Sequence, residues 1–265
     1  MAEQSGIVRI KGKIGNLSFY QGNNKDLVKT ATGPSKERIM TDPKYIRTRE
    51  NLSEFGGSAH IGKAFRTGLS ETINVMKGKY MAGRVTGMFK RVCNNGSGIR
   101  GERTFEIVPN TFIFTGFNFN KSKILSSIFS PPYSYTANVG RNETVLLIPD
   151  FNISDYVYAP TGATHFRLAN STSILSNYLY STTHKKYNPT DPTIDGLNIV
   201  QYSGYIPVSG MVGSTTTITS TIVGAPIMTL TAGLMGCIGI EFFQFVNGNY
   251  YLLNAENAMR IDNVF

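Results

Sequence analysis

The sequence is short of the residues on which most protein chemistry depends. Its 265 residues include three histidines, two cysteines and no tryptophan. His60, His165 and His184 lie far apart, and none has a second ligand at the helical spacing i+4 or the strand spacing i+2, so no metal site is expected. Cys93 and Cys237 have no CxxC or Cys/His spacing. We expect both to be ordinary buried or semi-buried thiols, as in a protein of a reducing compartment.

Catalytic and membrane signatures are also missing. The sequence contains no G-x-S-x-G, P-loop or H-E-x-x-H motif, and the glycine-rich stretch 94–101 lacks the Lys-Ser/Thr ending of a phosphate loop. No apolar run approaches the roughly 18 residues that cross a bilayer, and the amino-terminal segment is unlike a secretory signal. We therefore expect a protein that is not an enzyme, uses no cofactor or metal, and has no membrane span.

Negative charge is scarce in the first part of the chain only. Residues 1–104 contain 19 Lys and Arg against 8 Asp and Glu, a net charge of +11. Residues 105–265 contain 7 against 9, a net charge of −2, which brings the whole chain to +9. This shift and the glycine-rich sequence around 94–103 predict two domains, 1–103 and 104–265. The positive excess indicates an anionic partner or a basic interface for the first domain.

The first domain is predicted to be a β-hairpin followed by helices. In residues 6–32, apolar residues are interleaved with basic or polar ones on both sides of a turn. Asp42 and Pro43 are the residue types of a helix N-cap and first helical position, and Gly56 and Gly57 are expected to end that helix. The hairpin has two open interpretations. It either caps the helices of its own chain or pairs with the sheet edge of a neighbouring subunit.

From residue 104 onward the pattern changes to short β segments separated by turn residues. Their fairly even spacing favours an antiparallel β-sandwich of immunoglobulin-like or jelly-roll kind. The sequence VNGNY at 246–250 predicts a hairpin between two of the strands. The predicted fold class is therefore α+β, with an amino-terminal hairpin and helices followed by a carboxy-terminal sandwich.

Two segments resemble a known family. They are SGIVRIKGKIGNLSFY followed by LVK, and the block SKERIMTDPKYIRTRENLSEFGGSAHIGKAFR. Both are similar to poorly characterised structural proteins encoded by bacteria of the Bacteroidota and by their phages and prophages, including crAss-like tailed phages. The family's helix motif is D-P-x-[FY]-x-R-T-R-E-N-x-x-E-F, here Asp42 to Phe55, and the resemblance covers roughly residues 5–70. It implies a virion or tail-like structural component and brings no catalytic residue with it.

Together, the residues and the resemblance predict a structural virion protein of a tailed bacteriophage. We expect a homo-oligomer, present in many copies, that is assembled in the host cytoplasm and docks on capsid, portal or tail core through its basic half. The predicted interface residues are Arg47, Arg49, Glu50, Asn51 and Phe55. The arginines and glutamate would form paired charges at the interface, and Phe55 would be an apolar anchor. The alternatives are core packing for Phe55 and an intrahelical surface pair for Arg47 and Glu50.

Two other functions stay open. A DNA-associated packaging or cargo protein would contact phosphates, or an acidic partner, through basic residues of the first half. These are Arg9, Lys11, Lys13, Arg84, Lys90 and Arg91. A carbohydrate-binding adhesin would use Tyr178, Tyr180 and Tyr187 as stacking platforms, although the lack of tryptophan counts against it.

Overall fold

A computed structural model describes residues 2–6, 8–30 and 33–265. Helices make up 26% and antiparallel sheets 35%, which confirms the α+β prediction. The chain divides into two compact units, Met1–Arg49 and Glu50–Phe265. The predicted domain boundary after residue 103 falls inside the second unit, because helices before that point share a hydrophobic core with strands after it.

The first unit contains a four-stranded antiparallel sheet in the order β1-β4-β3-β2, followed by a short helix. Its elements are β1 (Ala2–Glu3), β2 (Gly12–Ile14), β3 (Leu17–Gly22), β4 (Lys25–Thr30) and α1 (Lys36–Thr41). Asn23 and Asn24 connect β3 to β4 with φ angles of 51° and 61°, as a type I′ turn requires. The predicted hairpin is thereby confirmed, except for its residues 7, 31 and 32, which lie outside the described residues.

Three longer helices follow: α2 (Ile46–Gly68), α3 (Ser70–Met76) and α4 (Met81–Asn95). The predicted helix end at Gly56 and Gly57 is wrong, since α2 continues through both residues. A glycine costs a helix only about 1 kcal/mol relative to alanine, and burial of one face of α2 outweighs that cost. In the described part of the chain, no helix has the length and hydropathy needed to cross a membrane.

The second unit contains eleven described strands, which are β5 (Ser134–Ala137), β6 (Glu143–Ile148), β7 (His165–Ser176), β8 (Tyr178–Ser181), β9 (Lys186–Pro189), β10 (Asn198–Tyr202), β11 (Ile206–Pro207), β12 (Thr216–Thr221), β13 (Ala232–Val246), β14 (Asn249–Leu252) and β15 (Ala258–Val264). The largest sheet is antiparallel and six-stranded, with the order β10-β7-β13-β14, where β11 also pairs with β7 and β15 with β13. A three-stranded sheet, β12-β6-β5, and a β8-β9 pair complete the unit. Single-turn helices are α5 (Thr111–Phe114), α6 (Leu125–Ile128) and α7 (Ile153–Tyr156), with 3-10 turns at Pro43–Tyr45 and Val108–Asn110. The predicted hairpin at VNGNY is confirmed by the pairing of β13 with β14.

The long strands β7 and β13 are covered on both faces. On one face, Phe166 and Leu168 share a core with Leu146 of the three-stranded sheet, in a sandwich-like arrangement. On the other face, Ala169 shares a core with Phe65 of α2 and with residues of α4. Strands buried on both faces carry continuous apolar runs, which explains the apolar sequence of β13.

Both cysteines are buried, as predicted. Burial raises the pKa of the Cys93 thiol to about 11 and moves the pKa of Cys237 still further above its usual range. Because the thiolate is the reactive form, a thiol reagent at pH 8 should leave the folded protein unmodified and label both residues in urea. Intact-mass spectrometry checks this expectation, which rapid labelling of the native protein would contradict.

Candidate docking surface

The motif that carries the family resemblance begins at a turn between two helices. Asp42 accepts a hydrogen bond from the Lys44 amide at 2.9 Å and caps the 3-10 turn that leads into α2. Arg49 donates to the carbonyl oxygens of Ile39 at 2.8 Å and Asp42 at 2.9 Å. These carbonyls lie at the end of α1, so the guanidinium of Arg49 closes this turn within its own unit.

Two further residues of the motif hold a segment that follows α4. The Glu50 carboxylate lies 3.5 Å from the Arg100 guanidinium, and the Asn51 side-chain oxygen accepts a hydrogen bond from Arg100 at 3.0 Å. Glu50 and Asn51, predicted as interface residues, therefore contact Arg100 of their own chain. Arg47 is exposed on the first turn of α2.

Glu54 is fully buried and lies at the centre of a polar cluster on α2. Its carboxylate accepts hydrogen bonds from Arg103 at 2.8 and 2.7 Å, from Lys90 at 2.7 Å and from the Gly101 amide at 2.8 Å. Burial by itself raises the pKa of Glu54, but these donors outweigh it and lower the pKa to about 2. Lys90 also donates to Asn94 at 2.6 Å. Lys90, predicted as a phosphate contact, is thus engaged in holding α4 to α2.

A different face of the same helix is apolar and open. Phe55 is 57% exposed, and Leu52, three residues earlier on the same face, is exposed as well. Gly56 lies beside them, and a Cβ atom added there would meet no atom within 4 Å. Core packing, the alternative for Phe55, therefore does not apply within this chain. Leu52 and Phe55 form an exposed apolar pair, the kind of surface that protein partners cover.

The first unit has no apolar core in its described residues. Among residues 2–6, 8–30 and 33–49 only Asp26 is buried, and its carboxylate is paired with Arg9. Phe19, Leu27 and Val28 are only half-buried, whereas Ile14 is 58% exposed and Leu17, beyond the turn from it, is exposed as well. A small sheet is marginal in water unless one apolar face is buried. The described residues of this unit do not supply such a buried face by themselves.

The predicted phosphate contacts are divided between the two units. In the first unit Arg9 is paired with Asp26, Lys11 donates to Gln21 at 3.2 Å, and Lys13 is exposed on the edge strand β2. In the second unit Arg84 and Arg91 lie on α4 together with Lys90. The Arg84 guanidinium lies 4.6 Å from the centre of the Phe117 ring.

The tyrosines predicted as carbohydrate platforms belong to the interior. Tyr178 and Tyr187 are buried, and Tyr180 lies 5.2 Å from the Tyr187 ring. The Tyr178 hydroxyl donates to Asp195. Because the rings of Tyr178 and Tyr187 are covered by protein, these two cannot stack on a sugar without unfolding their surroundings, whereas Tyr180 is partly buried against the same core.

A scan of the chain against protein-family models finds no match, and a search of curated proteins finds none either. Within residues 2–6, 8–30 and 33–265, no group of three or more His, Cys, Asp or Glu is arranged to hold a metal ion.

Proposed function

We propose that this protein is a structural component of a tailed bacteriophage particle, present in many copies and docked on capsid, portal or tail core through its first unit. The protein is assembled in the cytoplasm of the bacterial host and performs no catalysis. The resemblance of residues 5–70 supports this proposal. The observation that carries it is the first unit itself, whose described residues form a sheet but bury no apolar side chain.

The edge strand β2 suits this role. The order β1-β4-β3-β2 leaves one side of β2 without a neighbour among the described strands. An open edge offers backbone groups to a strand of another subunit, while Ile14 on β2 and Leu17 on β3 offer apolar contacts. Residues 1–49 contain 10 Lys and Arg against 4 Asp and Glu. An acidic surface on that neighbouring subunit is therefore favoured, with charge steering the encounter and apolar contacts retaining it.

The test is a pair of matched double variants of the full chain. Light scattering of the nuclease-treated wild type should give a defined oligomer at both low and high salt. The Ile14→Ser, Leu17→Ser variant should be monomeric, with the urea unfolding of the second unit unchanged within about 0.5 kcal/mol, because these side chains are exposed. The control Ile227→Ser, Leu230→Ser alters two equally spaced, highly exposed apolar residues of the second unit and should remain oligomeric.

Two results would count against the proposal. One is a wild-type monomer under all these conditions, combined with absence of the chain from density-purified particles analysed by mass spectrometry. The other is an oligomer that dissociates to monomers on nuclease treatment and at high salt, which would mean that nucleic acid holds the copies together. That result would favour the alternative, a DNA-associated packaging or cargo protein, in which Arg9, Lys11 and Lys13 contact phosphates.

A further inference from the structure

Four clefts on the second unit are neighbours that share wall residues. The cleft between the end of α2, α3 and the start of α4 has a volume of about 480 Å³. It shares Lys77 and Tyr80 with a second cleft of about 570 Å³. The second shares Lys121 with a third of about 410 Å³, and the third shares Arg91 and Phe112 with a smaller fourth. We call this run of four clefts the basic groove.

The charge of the basic groove is of one sign. Eight different Lys and Arg side chains line it, and no Asp or Glu is among the described residues of its walls. Of the eight, Lys123 alone has a carboxylate within ion-pair distance in the described chain, Glu256 at 3.3 Å. Burial lowers the pKa of Arg84, with no neighbouring acid to oppose it. Cations brought together without acids favour an anion between them.

Aromatic rings stand in the groove among these cations. Tyr80 is 87% exposed and borders the first two clefts, and Phe112 is 69% exposed and borders the last two. Tyr80 has a left-handed backbone with φ of 60°, which is uncommon for a bulky residue and is concentrated at functional sites. Exposed rings that alternate with cations are the pattern of sites that stack unpaired bases while holding the phosphates.

We propose that the basic groove binds single-stranded nucleic acid, with phosphates on its Lys and Arg side chains and bases stacked on Tyr80 and Phe112. An acidic protein would use the cations but would leave the two exposed rings without a specific role. A duplex keeps its bases stacked inside and presents no free face to these rings. This binding is independent of docking by the first unit, because every residue that carries it belongs to the second unit.

The experiment measures fluorescence anisotropy of a labelled 20-nucleotide poly-dT strand with the nuclease-treated full chain, from 50 to 300 mM salt. Wild type should bind at 50 mM salt, and the affinity should fall as salt rises. Lys77→Gln with Lys121→Gln should make the slope of log K against log salt shallower by about 1.4, since each phosphate contact contributes about 0.7 on a single strand. Tyr80→Ala should weaken binding by roughly 5- to 100-fold and leave the slope unchanged, because it removes stacking but no charge.

Matched variants separate the groove from general charge effects. Lys185→Gln with Lys186→Gln removes two exposed charges outside the groove, and Tyr158→Ala removes an exposed ring outside it. Both should bind as wild type does. The proposal is overturned if the Lys185, Lys186 pair changes the slope as much as the Lys77, Lys121 pair does. It is equally overturned if a 20-base-pair duplex binds more tightly than the single strand, or if polyglutamate competes as well as unlabelled poly-dT.

Discussion

Replacing Glu54 with glutamine is expected to lower the free energy of unfolding at pH 7 by about 3 kcal/mol. The carboxylate is fully buried, and its two oxygens accept the guanidinium of Arg103, the ammonium of Lys90 and the amide of Gly101. Glutamine keeps the size of the side chain but removes the negative charge, and its own amide donor faces other donors. Urea unfolding of the two proteins measures the difference.

The difference in free energy of unfolding between wild type and Glu54→Gln should become smaller at acidic pH. The pKa of Glu54 is about 2 in the folded protein and near 4.5 without these contacts. Its stabilisation is therefore fully present above about pH 4.5 and is lost as the pH falls toward 2, by about 1.4 kcal/mol for each pH unit. The advantage of wild type over Glu54→Gln should thus be constant between pH 7 and pH 5 and smaller at pH 3.5.

Glu102→Gln is the matched control, because Glu102 lies in the segment that Glu54 holds and, in the described chain, has no ion pair of its own. Its free energy of unfolding at pH 7 should stay within about 0.5 kcal/mol of wild type. If Glu54→Gln unfolds like Glu102→Gln, the buried cluster does not stabilise the fold.

Replacing each of two adjacent glycines of α2 with alanine is expected to change the free energy of unfolding in opposite directions. At Gly57 an added Cβ would lie 2.4 Å from a ring carbon of Tyr187. That ring cannot easily move, because it meets Phe105 edge-on at 4.8 Å and its hydroxyl reaches the Gly101 carbonyl oxygen at 3.4 Å. Gly57→Ala should therefore lower the free energy of unfolding by about 2 kcal/mol.

At Gly56 the added methyl is in open space, and Gly56→Ala should raise the free energy of unfolding by about 0.5–1 kcal/mol through helix propensity.

A second substitution tests the stated cause of the Gly57 effect. In the background Tyr187→Val, which removes the obstructing ring, Gly57→Ala should cost much less than it does in wild type. A Gly57→Ala variant as stable as Gly56→Ala would show that α2 can move away from Tyr187. An equal cost in both backgrounds would show that the loss comes from elsewhere.

The sequence correctly predicted those elements that depend only on residues close to them along the chain. The hairpins at residues 17–30 and 246–250 follow from turn residues between alternating strands, since the backbone conformation of the turn sets the pairing. Asp42 was identified as a cap, although it caps the 3-10 turn before α2. Charge counting showed that the first part of the chain is basic. The α+β class followed from the order of these elements.

Only the tertiary contacts show which residues of the helical motif are buried within the chain and which are exposed. Within one helical motif, Glu54 is buried by Lys90 and Arg103 while Phe55, the next residue, is exposed. Spacing along a helix shows which residues share a face, but it does not show which face another segment will cover.

The sequence by itself determined the α+β class, the two hairpins, the buried free thiols and the basic character of the first part of the chain. The tertiary structure alone decided that α2 passes through Gly56 and Gly57, that the unit boundary lies at residue 49, and that four neighbouring clefts share walls lined by Lys and Arg. The physical reason is the range of the interactions. A turn depends on residues adjacent in sequence, and a net charge depends only on composition. Helix continuation, burial and clefts depend on residues that only the folded chain brings together.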